Sequence, residues 1–257
     1  MNKNHGPFGF GYEEEREFLT LQSQCKDNKI QQENTDANQT EKIAALEQRV
    51  AVLEEYVFKA QTNDMVANIE NMKEGETLEV AFPTDVVLSN KSIEVKPNTN
   101  VTIELNDKEI KAETPNYDAI LVGDGATLTI NGNGKVTAAN GGNGYPIIAN
   151  GKLIINGGEF VSGYDADNLT NACVYARGNG QIEIYGGRFE TVDGTFVLNK
   201  KDADRATTSI KVFGGEFVNF DPSDNASEIP HENFVAEGYK VESYTEGDKT
   251  IYKVVKA

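Results

Sequence analysis

The chain has 257 residues, 38% of them hydrophobic, with no Trp and a formal net charge of −17. That charge argues against a nucleic-acid partner, because phosphate binding needs clustered Lys and Arg to displace counterions. No run approaches the length of a membrane span, so membrane insertion is not expected, and the first residues carry no secretion-signal pattern.

In chain order, residues 1–20 read as an anchoring peptide. Its aromatic and glycine cluster, with Pro7, Phe8, Phe10 and Tyr12, suits docking on a partner that orders it. Residues 21–40 are dense in Gln, Asn, Asp and Lys and read as a flexible polar linker. Residues 41–75 read as a helical stalk or capping helix. Ile43, Leu46, Val50, Leu53 and Val57 recur at spacings of three and four, the a and d pattern of a coiled coil. In that register Arg49 and Glu54 form an expected pair between chains. The oligomer expected is a homotrimer, with a dimer as the other option.

Residues 76–220 carry an internal repeat. Leu128, Leu153, Ile182 and Ile210 each begin an apolar-x-apolar segment that runs into a Gly or Asn turn, with starts about 25 to 29 residues apart. Degenerate copies lie at Ile103–Leu105 and near Ile93–Val95. Short alternating segments punctuated by Gly157-Gly158, Gly186-Gly187 and Gly214-Gly215 predict strands and sharp bends. Second strands are expected at Ile147–Ile148, Val174–Tyr175 and Phe196–Leu198. A repeat of this length predicts a parallel β-helix, here of about six coils.

Stacked coils predict columns of equivalent residues. Ile130, Ile155, Ile184 and Val212 form an inward aliphatic column, and Val136, Phe160, Phe189 and Phe217 form another. The residues just before the second column are Glu109, Lys135, Glu159, Arg188 and Glu216, a charge ladder of alternating sign that fixes which coil lies on which. Asn131 and Asn156 align as a short amide ladder, with Tyr185 and Phe213 in the same place in later coils. Residues 221–257 leave the repeat and read as a C-terminal β cap ending in a hairpin with an Asp-Lys turn. The fold class is thus mainly β, a solenoid with an N-terminal coiled-coil stalk.

Chemistry is sparse. Cys25 and Cys173 are far apart in sequence and unrelated in setting, and Cys173 reads as a buried apolar residue. His5 and His231 lie outside the repeats. Acidic residues gather at Asp165/Asp167, Asp193 and Asp202/Asp204, where Asp shapes turns. Weak Ca²⁺ binding is the alternative reading of these loops. No pair stands out as a glycosidase dyad. No catalytic residue, metal ligand or cofactor is assigned. Tyr145, Tyr164 and Tyr175 could stack on sugar rings, against turn and core roles.

The segment Gly214–Asn225, then Asn233–Lys240, then Tyr252–Val255, together with the Ile-x-Ile-x-Gly-Gly-x-Phe repeats, resembles fibre proteins of bacteriophages that infect Bacteroidales, including crAss-like phages. The resemblance spans residues 100–257. It implies a structural protein of the virion surface, made in the host cytoplasm. The role it implies is a head fibre that decorates the capsid, anchored on a capsid or other virion protein by its N-terminus. The distal β domain would face host or mucus glycans. A tail-associated receptor-binding fibre and a β-helix depolymerase are the alternatives.

Overall fold

The computed structural model describes residues 11–30, 37–163, 172–191, 196–225 and 230–257. The chain divides into two units, one through Met65 and one from Val66.

The first unit is helical. Helix α1 (Tyr12–Ile30) opens with Glu13, Glu14 and Glu15, whose charges suit the positive end of the helix dipole. Leu21 and Cys25 are buried one turn apart. This helix corrects the expected layout: residues 21–30 are not a flexible linker, and the anchoring segment loses its last part to α1. Gln, Glu and Lys are strong helix formers, so a polar composition does not by itself mean a mobile chain. Helix α2 (Ala37–Glu70) takes in residues 41–70 of the 41–75 segment read as helical.

The second unit is mainly β, a parallel solenoid in which each turn contributes one strand to each of three sheets. The first turn comprises β1 (Thr77–Ala81), β2 (Val86–Leu88) and β3 (Ile93–Val95). The second comprises β4 (Asn100–Glu104), β5 (Lys108–Ala112) and β6 (Ile120–Val122). The third comprises β7 (Thr127–Asn131), β8 (Gly134–Ala138) and β9 (Ile147–Ala149). The fourth comprises β10 (Lys152–Ile155), β11 (Glu159–Val161) and β12 (Val174–Ala176). The fifth comprises β13 (Gln181–Ile184), β14 (Arg188–Glu190) and β15 (Leu198–Lys200). A sixth turn stops after β16 (Ser209–Val212) and β17 (Gly215–Val218). Five turns are therefore complete, one fewer than expected, because the chain leaves the repeat after β17.

Two strand assignments shift. The repeat begins at β1, whereas Ile93–Val95 is the third strand of that first turn and aligns with Ile120–Val122. Phe196 and Val197 lie in the turn before β15, although Val197 is fully buried.

The register makes the core. Val80, Ile103, Ile130, Ile155, Ile184 and Val212 align strand on strand through the first sheet. In the second sheet Ile110, Val136, Phe160, Phe189 and Phe217 align and are all 0% exposed. Phe160 and Phe189 stack at 4.9 Å and Phe189 and Phe217 at 5.0 Å, about the spacing between adjacent strands. Alternation puts every second residue inside, and the parallel register repeats that choice in each turn. Gly187 shows why the bend needs glycine: its φ is +103°, and a Cβ there would lie 2.9 Å from the Gly158 carbonyl oxygen.

Past β17 the chain leaves the repeat through residues 219–225 and 230–236, with Phe220, Asn225 and Phe234 buried. A single parallel bridge joins Val212 to Val235 in this stretch. A hairpin of β18 (Tyr239–Glu246) and β19 (Lys249–Lys256) then adds antiparallel to β17. Its two-residue turn is Gly247-Asp248 rather than Asp-Lys, with Gly247 at φ +64°.

Candidate functional site

The outward face of the third sheet holds the richest group of polar and aromatic side chains. Successive turns place Glu94, Leu121, Ile148, Tyr175 and Asn199 in one column. Tyr145, from the segment before β9, stacks on Tyr175 with ring centres 5.0 Å apart and planes 12° from parallel. One face of each ring is thereby covered, and Ile148 is left only 4% exposed.

Charged groups flank this stack. Asp118, one turn below, accepts the Tyr145 backbone N–H at 3.0 Å. Burial pushes its pKa up to about 6, against the pull of that hydrogen bond and of the Arg177 charge. Arg177 Nε donates to Asn150 Oδ1 at 2.9 Å, and Asn150 Nδ2 donates to the Val122 carbonyl at 3.0 Å. Asp204 accepts the Gly178 N–H at 2.7 Å. Burial also raises the Tyr175 phenol, reinforced by Tyr145 and then by Asp202 and Asp204, with Arg177 opposing. Three consecutive turns thus supply a carboxyl poised near pH 6, two phenols, an amide and a guanidinium. Such a set can hydrogen-bond a polyhydroxylated ligand through both donors and acceptors. Sequence reasoning singled out Tyr145 and Tyr175 but not Asp118, Asn150 or Arg177. Asn150 and Arg177 hold the same place after successive strands, and Asp118 the same place as Tyr145, but the residue type changes from turn to turn, so no repeat of residue type marks them.

The charge ladder is assembled as its spacing implied. Glu109 lies opposite Lys135, Lys135 opposite Glu159, Glu159 opposite Arg188, and Arg188 opposite Glu216. Contacts of 3.1 Å join Lys135 to Glu159 and of 3.6 Å join Arg188 to Glu216. Glu109 instead accepts the Thr137 hydroxyl at 2.7 Å. The antiparallel hairpin extends the ladder by two members, Lys253 opposite Glu216 and Glu242 opposite Lys253. Lys253 Nζ lies 3.0 Å from Glu216, which holds its pKa above the ordinary lysine value. Burial works against the Arg188 charge, but the hydrogen bond and field of Glu246, then Glu190 and Glu216, outweigh it. These last two rungs escape the repeat pattern because the hairpin runs in the opposite sense.

The amide ladder is present and short. Asn156 Nδ2 donates to Asn131 Oδ1 at 2.7 Å, and Asn131 Nδ2 donates to Glu104 at 2.5 Å. Above them Tyr185 stacks on Phe213 at 4.7 Å, and Tyr239 meets Phe213 edge-on at 5.5 Å.

In α2, Ile43 and Val57 are buried within a single chain, and Leu46, Val50 and Leu53 are half-buried. Arg49 pairs with Glu17 at 3.0 Å, and Glu54 accepts from Gln22 at 3.4 Å. Both groups expected to pair between chains thus have partners on α1. Pro7, Phe8 and Phe10 lie outside the described residues, as does the side chain of Tyr12. His5, Tyr164, Asp165, Asp167 and Asp193 are outside them as well. Asp202 and Asp204 form a short 3₁₀ turn, with Arg205 3.4 Å from Asp202 and Lys201 3.7 Å from Asp204. His231 lies 2.8 Å from Asp224 on the surface. The Cys173 thiol is fully buried, 3.3 Å and 3.2 Å from the carbonyls of Phe160 and Glu190, and burial pushes its pKa to about 12. It is a core group rather than a nucleophile.

A groove of about 530 Å³ lies at the end of the solenoid, between β16 and residues 232–237. Lys200 lines it. Its position aligns with inward-facing Val95, Val122, Ala149 and Ala176, and it is only 5% exposed. Nζ lies 2.6 Å from Glu232, so the lysine ends the apolar column by fastening the closing segment to it.

No helix is long and apolar enough to cross a membrane among the described residues. The fold defines the class: a three-sheet parallel β-solenoid with side-chain ladders on its outer faces. No protein-family model, curated protein or solved structure matches the chain.

Proposed function

We propose that this chain is a structural fibre protein of a bacteriophage virion, a head fibre that decorates the capsid. It is anchored through its N-terminal residues and displays the solenoid outward. The supporting observation is how the aligned positions are used. Inward positions hold packing columns, and the outward ladders bind each turn to the next. A surface used for stacking builds a durable display scaffold rather than a reaction cleft. The virion setting rests on the resemblance of the signature between Gly214 and Val255.

In this reading the face bearing Ile43, Leu46, Val50, Leu53 and Val57 forms a trimeric stalk, and β18–β19 caps the last turn. The protein is non-catalytic. Deleting residues 1–20 should abolish incorporation into purified particles while the β signature in circular dichroism persists; normal incorporation overturns the anchoring claim. Light scattering of the full chain tests the stalk, which a monomer excludes.

The Tyr145–Tyr175 stack with Asp118 and Arg177 favours adhesion to host or mucus glycans. Glycan binding should be lost in Arg177→Ala, and binding unchanged by that variant removes this face from the reading. Release of reducing ends from host capsular polysaccharide would instead make the protein a depolymerase.

A further inference from the structure

The chain builds its own sheets with every strand neighboured on both sides except at the ends, and one of those ends is unusually open. Strand β18 terminates the eight-stranded sheet, with β19 on one side and no strand on the other among the described residues. It is long, runs over Tyr239–Glu246, and is exposed along nearly its whole length. Edge strands of this kind are normally blunted by proline, a bulge or repelling charge. β18 contains no proline and no residue at positive φ.

Its hydrogen-bonding phase can be read from its ends. The Ala257 N–H donates to the Gly238 carbonyl at 2.9 Å, whereas the Tyr239 N–H turns away to the Ala236 carbonyl at 3.1 Å. Residues of an antiparallel strand alternate between facing the partner and facing away. The N–H and C=O groups of Val241, Ser243 and Thr245 therefore point to the open side.

We infer that β18 is an interface between two copies of this chain, which pair antiparallel about a twofold axis at Ser243. The backbone phase allows only registers that set outward-facing residues against one another. Centring on Glu242 would oppose that carboxylate to itself, and centring on Tyr244 would oppose Glu242 to Glu246. Centring on Ser243 pairs residues 240–246 with their counterparts and places Lys240 opposite Glu246 twice, next to the Lys240–Glu242 and Arg188–Glu246 ion pairs that each chain makes by itself at 2.8 Å and 3.1 Å. Centring on Val241 also matches charges, Lys240 with Glu242, but pairs a shorter stretch. The self-complementary charges specify a second copy of the chain rather than an unrelated strand. They sit on the same face as Glu242, the last rung of the internal ladder, which in this register meets Tyr244 of the second copy rather than a like charge.

This contact is independent of a helical stalk and multiplies whatever state the stalk sets. The test is sedimentation velocity of the full chain. Ser243→Pro removes an outward N–H at the axis and leaves the pairing with β19, so the assembly mass should halve while circular dichroism is unchanged. Lys240→Glu, which leaves the Arg188–Glu246 ion pair in place, should weaken association about tenfold. A wild-type monomer, an unchanged mass in Ser243→Pro, or unchanged association in Lys240→Glu overturns the inference. A Leu46→Asp/Leu53→Asp variant reports on the stalk separately.

Discussion

The early and late turns of the solenoid share one backbone and differ in what fills it. Early turns pack aliphatic residues in the second-sheet column, Ile110 and Val136, and carry amides in the outer turn, Asn131 and Asn156. Late turns replace these with rings, Phe160, Phe189 and Phe217 inside and Tyr185 on Phe213 outside. The inner column changes in the fourth turn, which still carries Asn156 outside, and the outer column changes in the fifth. This difference teaches that a stacked position answers to the residues directly above and below it. The chemistry can therefore change along the stack provided each neighbour pair agrees.

The largest expected effect breaks the aromatic column. Phe189 is covered by a ring on either side, so Phe189→Ala should cost about 3–5 kcal/mol, whereas Ile130→Val in the aliphatic column should cost about 0.5–1.5 kcal/mol. Denaturant titration of each variant checks the contrast. Equal losses would show that ring stacking does not set the late turns apart.

Next in size is a pH effect that belongs to the lower turns. Asp118 has a folded pKa of about 6 against an ordinary 3.8. The folded chain therefore holds this proton more tightly than the unfolded one. The contribution to stability is full below about pH 4 and is lost as pH rises through about 6, at most about 3 kcal/mol. Asp118→Asn should flatten this part of the stability profile. Carbon NMR of the carboxyl gives the pKa directly, and a midpoint near 4 contradicts the burial argument.

A smaller loss is expected from Gly187→Ala. It forces a side chain to positive φ and against the Gly158 carbonyl, at about 1–3 kcal/mol. The thermal midpoint reports it. The smallest effect sharpens the ladder comparison. Lys135→Glu sets a third carboxylate between Glu109 and Glu159, and should cost about 0.5–1 kcal/mol at low salt. That loss should shrink in high salt, because exposed charges are screened.

Much of the solenoid was legible before folding because its signal is periodic. The spacing of Ile130, Ile155 and Ile184, the paired glycines and the alternating charges each recur once per turn, so register followed from alignment. Lys253 and Glu242 continue the ladder yet could not be read from it, since an antiparallel hairpin has no place in a parallel repeat. Lys200 was equally hidden, because a lysine in an inward column makes sense only beside Glu232. The first helix was missed for a different reason: Gln, Lys and Asp between Leu21 and Ile30 suit a helix and a linker alike.

Sequence alone thus determined the repeat, its inward columns and the order in which turns stack, because each is a local pattern imposed on neighbouring strands. Only the tertiary structure decided where the repeat stops and which strands follow it. It also decided which polar side chains meet across turns. Asp118, Tyr145 and the Tyr175–Arg177 pair lie on successive turns, and it is the winding of the chain, about one strand spacing per turn, that brings them onto one face.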